Sequence, residues 1–237
     1  MKFIFTSEAV TEGHPDKVAD RIADSILDEL LKKDKNSRVA CEVVCAANLV
    51  FIFGEITTTA KIDYEKVARE TVKEIGYTKH EYGFSYDTID VKIALNTQSP
   101  DIALGVDENE NKELGAGDQG IMFGYASNET DEYMPLGSYL AQNLAKELTK
   151  ARKEGIIKYL RPDGKTQVSF EYHDGKPVRI HDVVVSTQHA ASASQEAETA
   201  ARQVPSFLRA RISRSSADSS ATSVQDSTSS AGKSCRP

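Results

Sequence analysis

Val18, Ile22, Ile26 and Leu30 recur at four-residue spacing behind Pro15, and Asp16, Asp20, Asp24 and Asp28 run beside them. An apolar stripe flanked by carboxylates, with proline at the first helical position, predicts an amphipathic helix whose Asp20, Asp24 and Asp28 face solvent. The period then shortens. Val39 to Cys45 and Leu49 to Ala60 are runs of β-branched and aromatic residues that predict two strands turned at Ala47-Asn48. Asp63 is a capping residue ahead of a second helix that reaches Ile75 and is stopped by Gly76. Ile89, Val91, Ile93 and Leu95 alternate with polar residues, as in a half-buried strand.

The polar stretch QSPDIALGVDENENKELGAGDQG follows, and a loop of that length in a compact domain is functional or mobile. IMFGYAS behind it reads as a short apolar strand, and Leu140, Leu144 and Leu148 mark a third helix ending at Gly155. RPDGK, Arg161 to Lys165, has the composition of an ordinary turn. Asp174-Gly175 turns a hairpin between strands near Gln167 to Tyr172 and Val178 to Ser186. Strands and helices thus alternate with hairpins in two similar blocks, an α/β (α+β) pattern.

Beyond Ala190 the chain becomes serine-rich and poor in aromatics, so disorder is expected from about Ser213. AGKS in this tail lacks the first glycine and the following helix of a P-loop. With 39% apolar and 27% charged residues, the rest is globular in composition. The longest apolar run, Leu49 to Phe53, cannot span a bilayer, and the N-terminus lacks the apolar core of a signal peptide, so a cytoplasmic protein is expected. A formal charge of −7 argues against a general nucleic-acid binder. Cys41, Cys45 and Cys235 make neither an even disulfide set nor a zinc site, which leaves buried free thiols as the expectation.

GAGDQG at 115–120 fits the dinucleotide spacing G-x-G-x-x-G, but that fingerprint needs a buried strand before it and a long helix after it. An acidic loop precedes it here, and IMFGYASNETDEYMP follows. The longer string GAGDQGIMFGYASNETDEYMPL, together with FTSEAVTEGHPDKVADRIADSILD, GEITTTA, QSPDIALGVD, LRPDGKTQVSFEY and STQHA, closely resembles the S-adenosylmethionine synthetase family in order and spacing.

That resemblance implies three related sheet-and-helix blocks about a pseudo-threefold axis, of which this chain would hold the first and most of the second. The expected division is an N-terminal domain at 1–97, a mobile gating loop at 98–117, an incomplete central domain at 118–189 and a non-homologous tail at 190–237. A one-base frame slip would explain why Ala217-Asp218-Ser219-Ser220 falls near the place where the family reads Gly-Arg-Phe-Val.

The implied reaction joins methionine sulfur to C5′ of ATP, displaces the triphosphate and then hydrolyses it to phosphate and diphosphate. Such chemistry needs alignment and charge stabilisation rather than a protein nucleophile. By resemblance His14 and Lys165 act on the triphosphate, and His14, Asp118, Asp163, Gly164 and Lys165 bind ATP. Glu55 and Gln98 contact methionine, Asp16 holds magnesium and Glu42 holds potassium. Taken alone, His14 reads as a helix-capping or surface histidine, Asp16 as a dipole-complementing acid, and Glu42 and Glu55 equally as outward strand positions. The family also implies a homodimer or dimer of dimers with active sites between subunits. A chain lacking the later blocks is then either an enzyme by descent or an incomplete fragment, inert or able to pair with an intact subunit.

Overall fold

The computed structural model describes residues 1–97, 120–191 and 193. Its strands are β1 (Lys2–Val10), β2 (Arg38–Ala46), β3 (Leu49–Thr57), β4 (Asp90–Asn96), β5 (Leu160–His173) and β6 (Lys176–His189). The helices are α1 (Pro15–Lys33), α2 (Tyr64–Ile75) and α3 (Leu136–Lys153). Two three-stranded sheets result, ordered β1-β5-β6 and β2-β3-β4.

The helices form where the pattern puts them, and for local reasons. Pro15 opens α1, His14 caps it, Asp16 lies in the first turn and Lys32 and Lys33 in the last, all in the sense that favours the helix dipole. Val18, Ile22, Ile26 and Leu30 are at most 2% exposed, and each buried side chain contributes roughly 1.5–3 kcal/mol. In α2 the Asp63 carboxylate accepts a hydrogen bond from the Lys66 amide at 2.9 Å, and Gly76 ends the helix at φ 113°, in the left-handed region. Asp63→Ala is expected to destabilise the chain by about 1 kcal/mol in urea unfolding, because the first turn of α2 loses its only side-chain acceptor.

Helices α1 and α2 lie on the sheet β2-β3-β4 over a core that includes Val50, Ile52, Val72 and Ile75. Helix α3 lies on β1 and β5, over Val168, Phe170 and Tyr172. The two-residue turn Ala47-Asn48 joins β2 to β3, with Ala47 at φ 50°. Asp174 and Gly175, at φ 50° and 79°, turn β5 into β6 in the doubly left-handed manner that suits a tight hairpin. The parallel pairing of β3 with β4 requires a crossover, which α2 supplies.

Four features differ from expectation. Lys2–Val10 is a strand, and it pairs with β5 in the second sheet rather than with its sequence neighbours. The N-terminal strand thus lies in the same sheet as β5 and β6. RPDGK is no turn: it lies within β5, where the ladder to β6 shifts register between Leu160 and Gly164. Four residues advance on β5 while β6 advances two, so Arg161–Asp163 bulge from the sheet. IMFGYAS forms no strand among the described residues; Ile121, Met122, Phe123 and Tyr125 are 80–93% exposed, with no neighbouring strand to take up their backbone groups. Cys41 and Cys45 are half-buried rather than buried, and desolvation pushes both thiols up to about 11, so neither is a reactive thiolate. Cys235 and the tail from 194 lie outside the described residues, and among the described helices none is long and apolar enough to cross a membrane.

Candidate active site

The turn between β1 and α1 is clamped onto the bulge of β5. The Thr11 amide donates to the Gly164 carbonyl at 2.9 Å, and the Thr11 hydroxyl donates to the Pro162 carbonyl at 2.8 Å. Gly13 lies so close to Pro162 that a Cβ there would stand 2.3 Å from the proline carbonyl carbon. This close approach is why the position must be glycine. It brings the start of α1 and the bulge, 150 residues apart in sequence, into one surface.

His14 caps α1, and its Nδ1 accepts from the Asp16 amide at 3.3 Å. That bond leaves Nε2 for another partner. Asp16 projects into solvent, 87% exposed, with one carboxylate oxygen 3.7 Å from His14 Nδ1. Helix N-terminal amides, an imidazole and a free carboxylate therefore share one edge. Asp163 follows Pro162 in the bulge against which Thr11 and Gly13 are set. Lys165 follows on β5 and pairs with Glu8 across the strands at 2.7 Å, both side chains being about half exposed (48% and 47%).

Burial pushes the Asp163 carboxyl above its ordinary range, and the neighbouring His14 and the Gly164 amide only partly offset this. A carboxylate whose folded-state pKa is raised costs stability once it is ionised, so its contribution falls as pH rises through that pKa. Asp163→Asn is expected to raise Tm at neutral pH by a small amount, since the group is half exposed, and to lose the advantage below about pH 4. Tm measured across pH 3 to 8 for both chains checks it.

Glu42 and Glu55 lie on the other sheet. Inward positions of β2 and β3 pack on α1 and α2, so these two carboxylates occupy the opposite face and are exposed. Register pairs Glu42 with Phe53, and Ala40 with Glu55. The two acids are thus diagonal neighbours on adjacent antiparallel strands, a placement in which like charges repel unless a cation lies between them. Asn96 of β4 is the partner of Glu55 on the other side. Gln98 and Asp118 lie outside the described residues.

No cluster of three or more metal-binding side chains occurs among the described residues. Magnesium is nevertheless commonly held by one or two carboxylates plus substrate phosphates, and the exposed Asp16 beside a helix N-terminus fits that mode. Glu42 stands on a face whose nearest strand neighbours are Ala40, Val44 and Phe53, so a potassium ion there would meet one carboxylate and no cage. A third group of polar residues, His80, Asp87 and Ser85, resembles a nucleophilic triad only in composition. The Ser85 hydroxyl donates to Asp87 at 2.6 Å and His80 bonds the other carboxylate oxygen at 2.8 Å, which holds the Asp87 carboxyl down at about 2. The imidazole bonds the carboxylate rather than the serine oxygen, so the order of a nucleophilic triad is not met.

Residues 2–100 match the model of the S-adenosylmethionine synthetase N-terminal domain, and residues 113–229 match that of the central domain. The chain belongs to the S-adenosylmethionine synthetase family. It is 54% identical over 205 residues to an S-adenosylmethionine synthase of Clostridium botulinum (strain Alaska E43 / Type E3), an alignment that takes in 83% of this chain and 52% of that protein. The chain thus spans about half the length of the curated relative it matches. The central-domain match of this S-adenosylmethionine synthetase family member runs past His189 into the serine-rich stretch.

Sequence reasoning missed Thr11, Gly13 and Tyr77. Thr11 and Gly13 act through backbone contacts to Pro162 and Gly164, and Tyr77 reaches Gly13 from 64 residues away. Gly13 stands in TEGHPD, where its role was visible only as proximity to His14.

Proposed function

We propose that this chain carries the triphosphate-binding half of a methionine adenosyltransferase site. The observation that carries the reading is the clamp of Thr11–His14 onto the β5 bulge, which sets His14 and Asp16 at the start of α1 against Pro162 and Gly164, the neighbours in sequence of Asp163 and Lys165. In the reaction the methionine sulfur lone pair forms a bond to C5′ of ATP while the bond from C5′ to the triphosphate oxygen breaks, and water then cleaves the triphosphate to phosphate and diphosphate. Negative charge grows on the leaving oxygen. His14, Lys165 and the α1 amides supply fixed positive potential there, with no reorganisation at the moment of displacement.

Lys165 must exchange its partner Glu8 for phosphate. The exposed pair is worth at most about 1 kcal/mol, so the exchange is easy. Magnesium held by Asp16 would neutralise phosphate charge. Asp163, Gly164 and, outside the described residues, Asp118 serve the nucleotide. Glu55 suits the methionine ammonium, with Gln98 beside the substrate, and Glu42 supplies its single carboxylate to potassium.

A second reading is favoured by the exposed Ile121–Tyr125 stretch and by the half-length match: the chain is incomplete alone and pairs with an intact subunit. Mass-spectrometric detection of S-adenosylmethionine after incubation with ATP, methionine, magnesium and potassium separates the two. Product accumulating beyond one per chain supports the enzyme. Its absence, with co-elution of the chain and an intact family subunit in size exclusion, supports the pairing fragment. If neither product nor co-elution is seen, the chain is the inert form of the fragment and the enzyme reading fails.

A further inference from the structure

Tyr77 follows the C-terminal glycine of α2 and is 6% exposed in the core beneath α1. Phe84 meets its ring edge-on at 5.0 Å, and Tyr82 does so at 6.4 Å. Two ring contacts and a buried backbone leave the phenol one direction, and along it the hydroxyl donates to the Gly13 carbonyl at 2.5 Å. Gly13 immediately precedes His14. Its other side is closed by Pro162, so the peptide joining the two residues is held from both faces. The carbonyl has no other partner among the described hydrogen bonds outside regular elements, whereas the His14 amide is fixed by the Thr11 carbonyl at 3.1 Å.

We propose that Tyr77 is a positioning residue for the nucleotide site, its hydroxyl fixing the Gly13 carbonyl and thereby the backbone and imidazole of His14. The inference rests on the reading of His14 as a triphosphate contact. Losing the hydroxyl leaves a buried carbonyl unpaired on the peptide that carries the imidazole, and the peptide relieves this by rotating toward solvent. The imidazole rotates with it. Burial pushes the phenol above its ordinary range, so it remains a donor through neutral and mildly alkaline pH. Nothing in the spacing of Tyr77 and His14 hints at this, because the contact spans two elements.

The test is a comparison of Tyr77→Phe and Ile56→Val with the unaltered full chain. Ile56, 7% exposed in the same core, provides a variant of similar stability loss with the hydroxyl intact. The readout is the ring cross-peak of His14 in a 1H–13C spectrum, assigned with His14→Asn. A second readout is the affinity for inorganic tripolyphosphate with magnesium.

Tyr77→Phe is expected to move the His14 peak by more than its line width and to weaken tripolyphosphate about three- to tenfold, the range that one hydrogen bond commands, while Ile56→Val changes neither. An unmoved His14 peak in folded Tyr77→Phe, or an equal displacement in Ile56→Val, overturns the proposal. If the unaltered chain binds no tripolyphosphate while the peak still moves, positioning stands and the nucleotide reading fails. Should Tyr77→Phe not fold, the hydroxyl proton of Tyr77 in the unaltered chain decides: slow exchange with water supports the bond, and fast exchange overturns it.

Discussion

Gly13→Ala is expected to lower the Tm by about 10 °C, equivalent to roughly 3 kcal/mol, and to remove tripolyphosphate binding with it. The added methyl would stand 2.3 Å from the Pro162 carbonyl carbon and 2.4 Å from both its Cβ and its oxygen. These are backbone and ring atoms of a bulge, so no flexible side chain can swing away. Either the β1–α1 turn lifts off β5, breaking the Thr11 bonds to Pro162 and Gly164, or the bulge is driven into β6. Both routes draw the start of α1 away from the β5 bulge. Gly83→Ala is the matched comparison: its φ is 74° but nothing lies within 4 Å, so only the left-handed backbone is penalised, by about 1–2 kcal/mol. Thermal unfolding followed by circular dichroism measures the two. If Gly13→Ala melts no lower than Gly83→Ala, the bulge yields without cost and is no fixed platform for a phosphate site.

What was legible beforehand was local. Pro15, the four-residue stripe and Asp16 specify α1 within one stretch of chain, as Asp63 and Gly76 specify α2 and Asp174-Gly175 the last hairpin. His14 and Asp16 were visible for the same reason, since a helix start is written in adjacent residues. Strand β1 was not. Phe3 and Phe5 alternate, but a strand is completed by its partner, and Thr6 meets Ser169 across 163 residues.

The same distance hid the meeting of the β5 bulge with the start of α1, and it made RPDGK look like a turn when its proline and aspartate occupy a bulge. Ile121–Tyr125 errs in the other direction: its composition is that of a strand, yet among the described residues no edge pairs with it. Glu42 and Glu55 could be recognised as odd residues in apolar strands, but that they are diagonal neighbours depends on a register that the turn at Ala47-Asn48 sets.

The second large effect is expected at Arg152, in the last turn of α3, where a basic residue would ordinarily be read as a complement to the helix dipole. The side chain is only 12% exposed, and its guanidinium donates to the Glu12 carboxylate at 2.5 Å and to the Ile75 carbonyl at 2.8 Å. It also fills the space above Gly76, where a Cβ would stand 2.4 Å from its nitrogen. One guanidinium nitrogen, Nη2, therefore ties α3 to the end of α2 and to the turn that carries Gly13 and His14.

Arg152→Ala is expected to cost about 2 kcal/mol in urea unfolding, below the range for a fully buried pair, because the pair is half-buried and Glu12 keeps Lys153 at 2.9 Å. Arg152→Lys should recover part of this, since both bonds come from the single nitrogen Nη2, which an ammonium can replace, whereas the guanidinium packing over Gly76 is lost. A double-mutant cycle with Glu12→Gln separates the contributions: a coupling of about 1–2 kcal/mol assigns the effect to the ion pair. Coupling near zero would assign it to the Ile75 carbonyl and to packing over Gly76, and the β1–α1 turn would then owe its placement to Pro162 and Tyr77 alone.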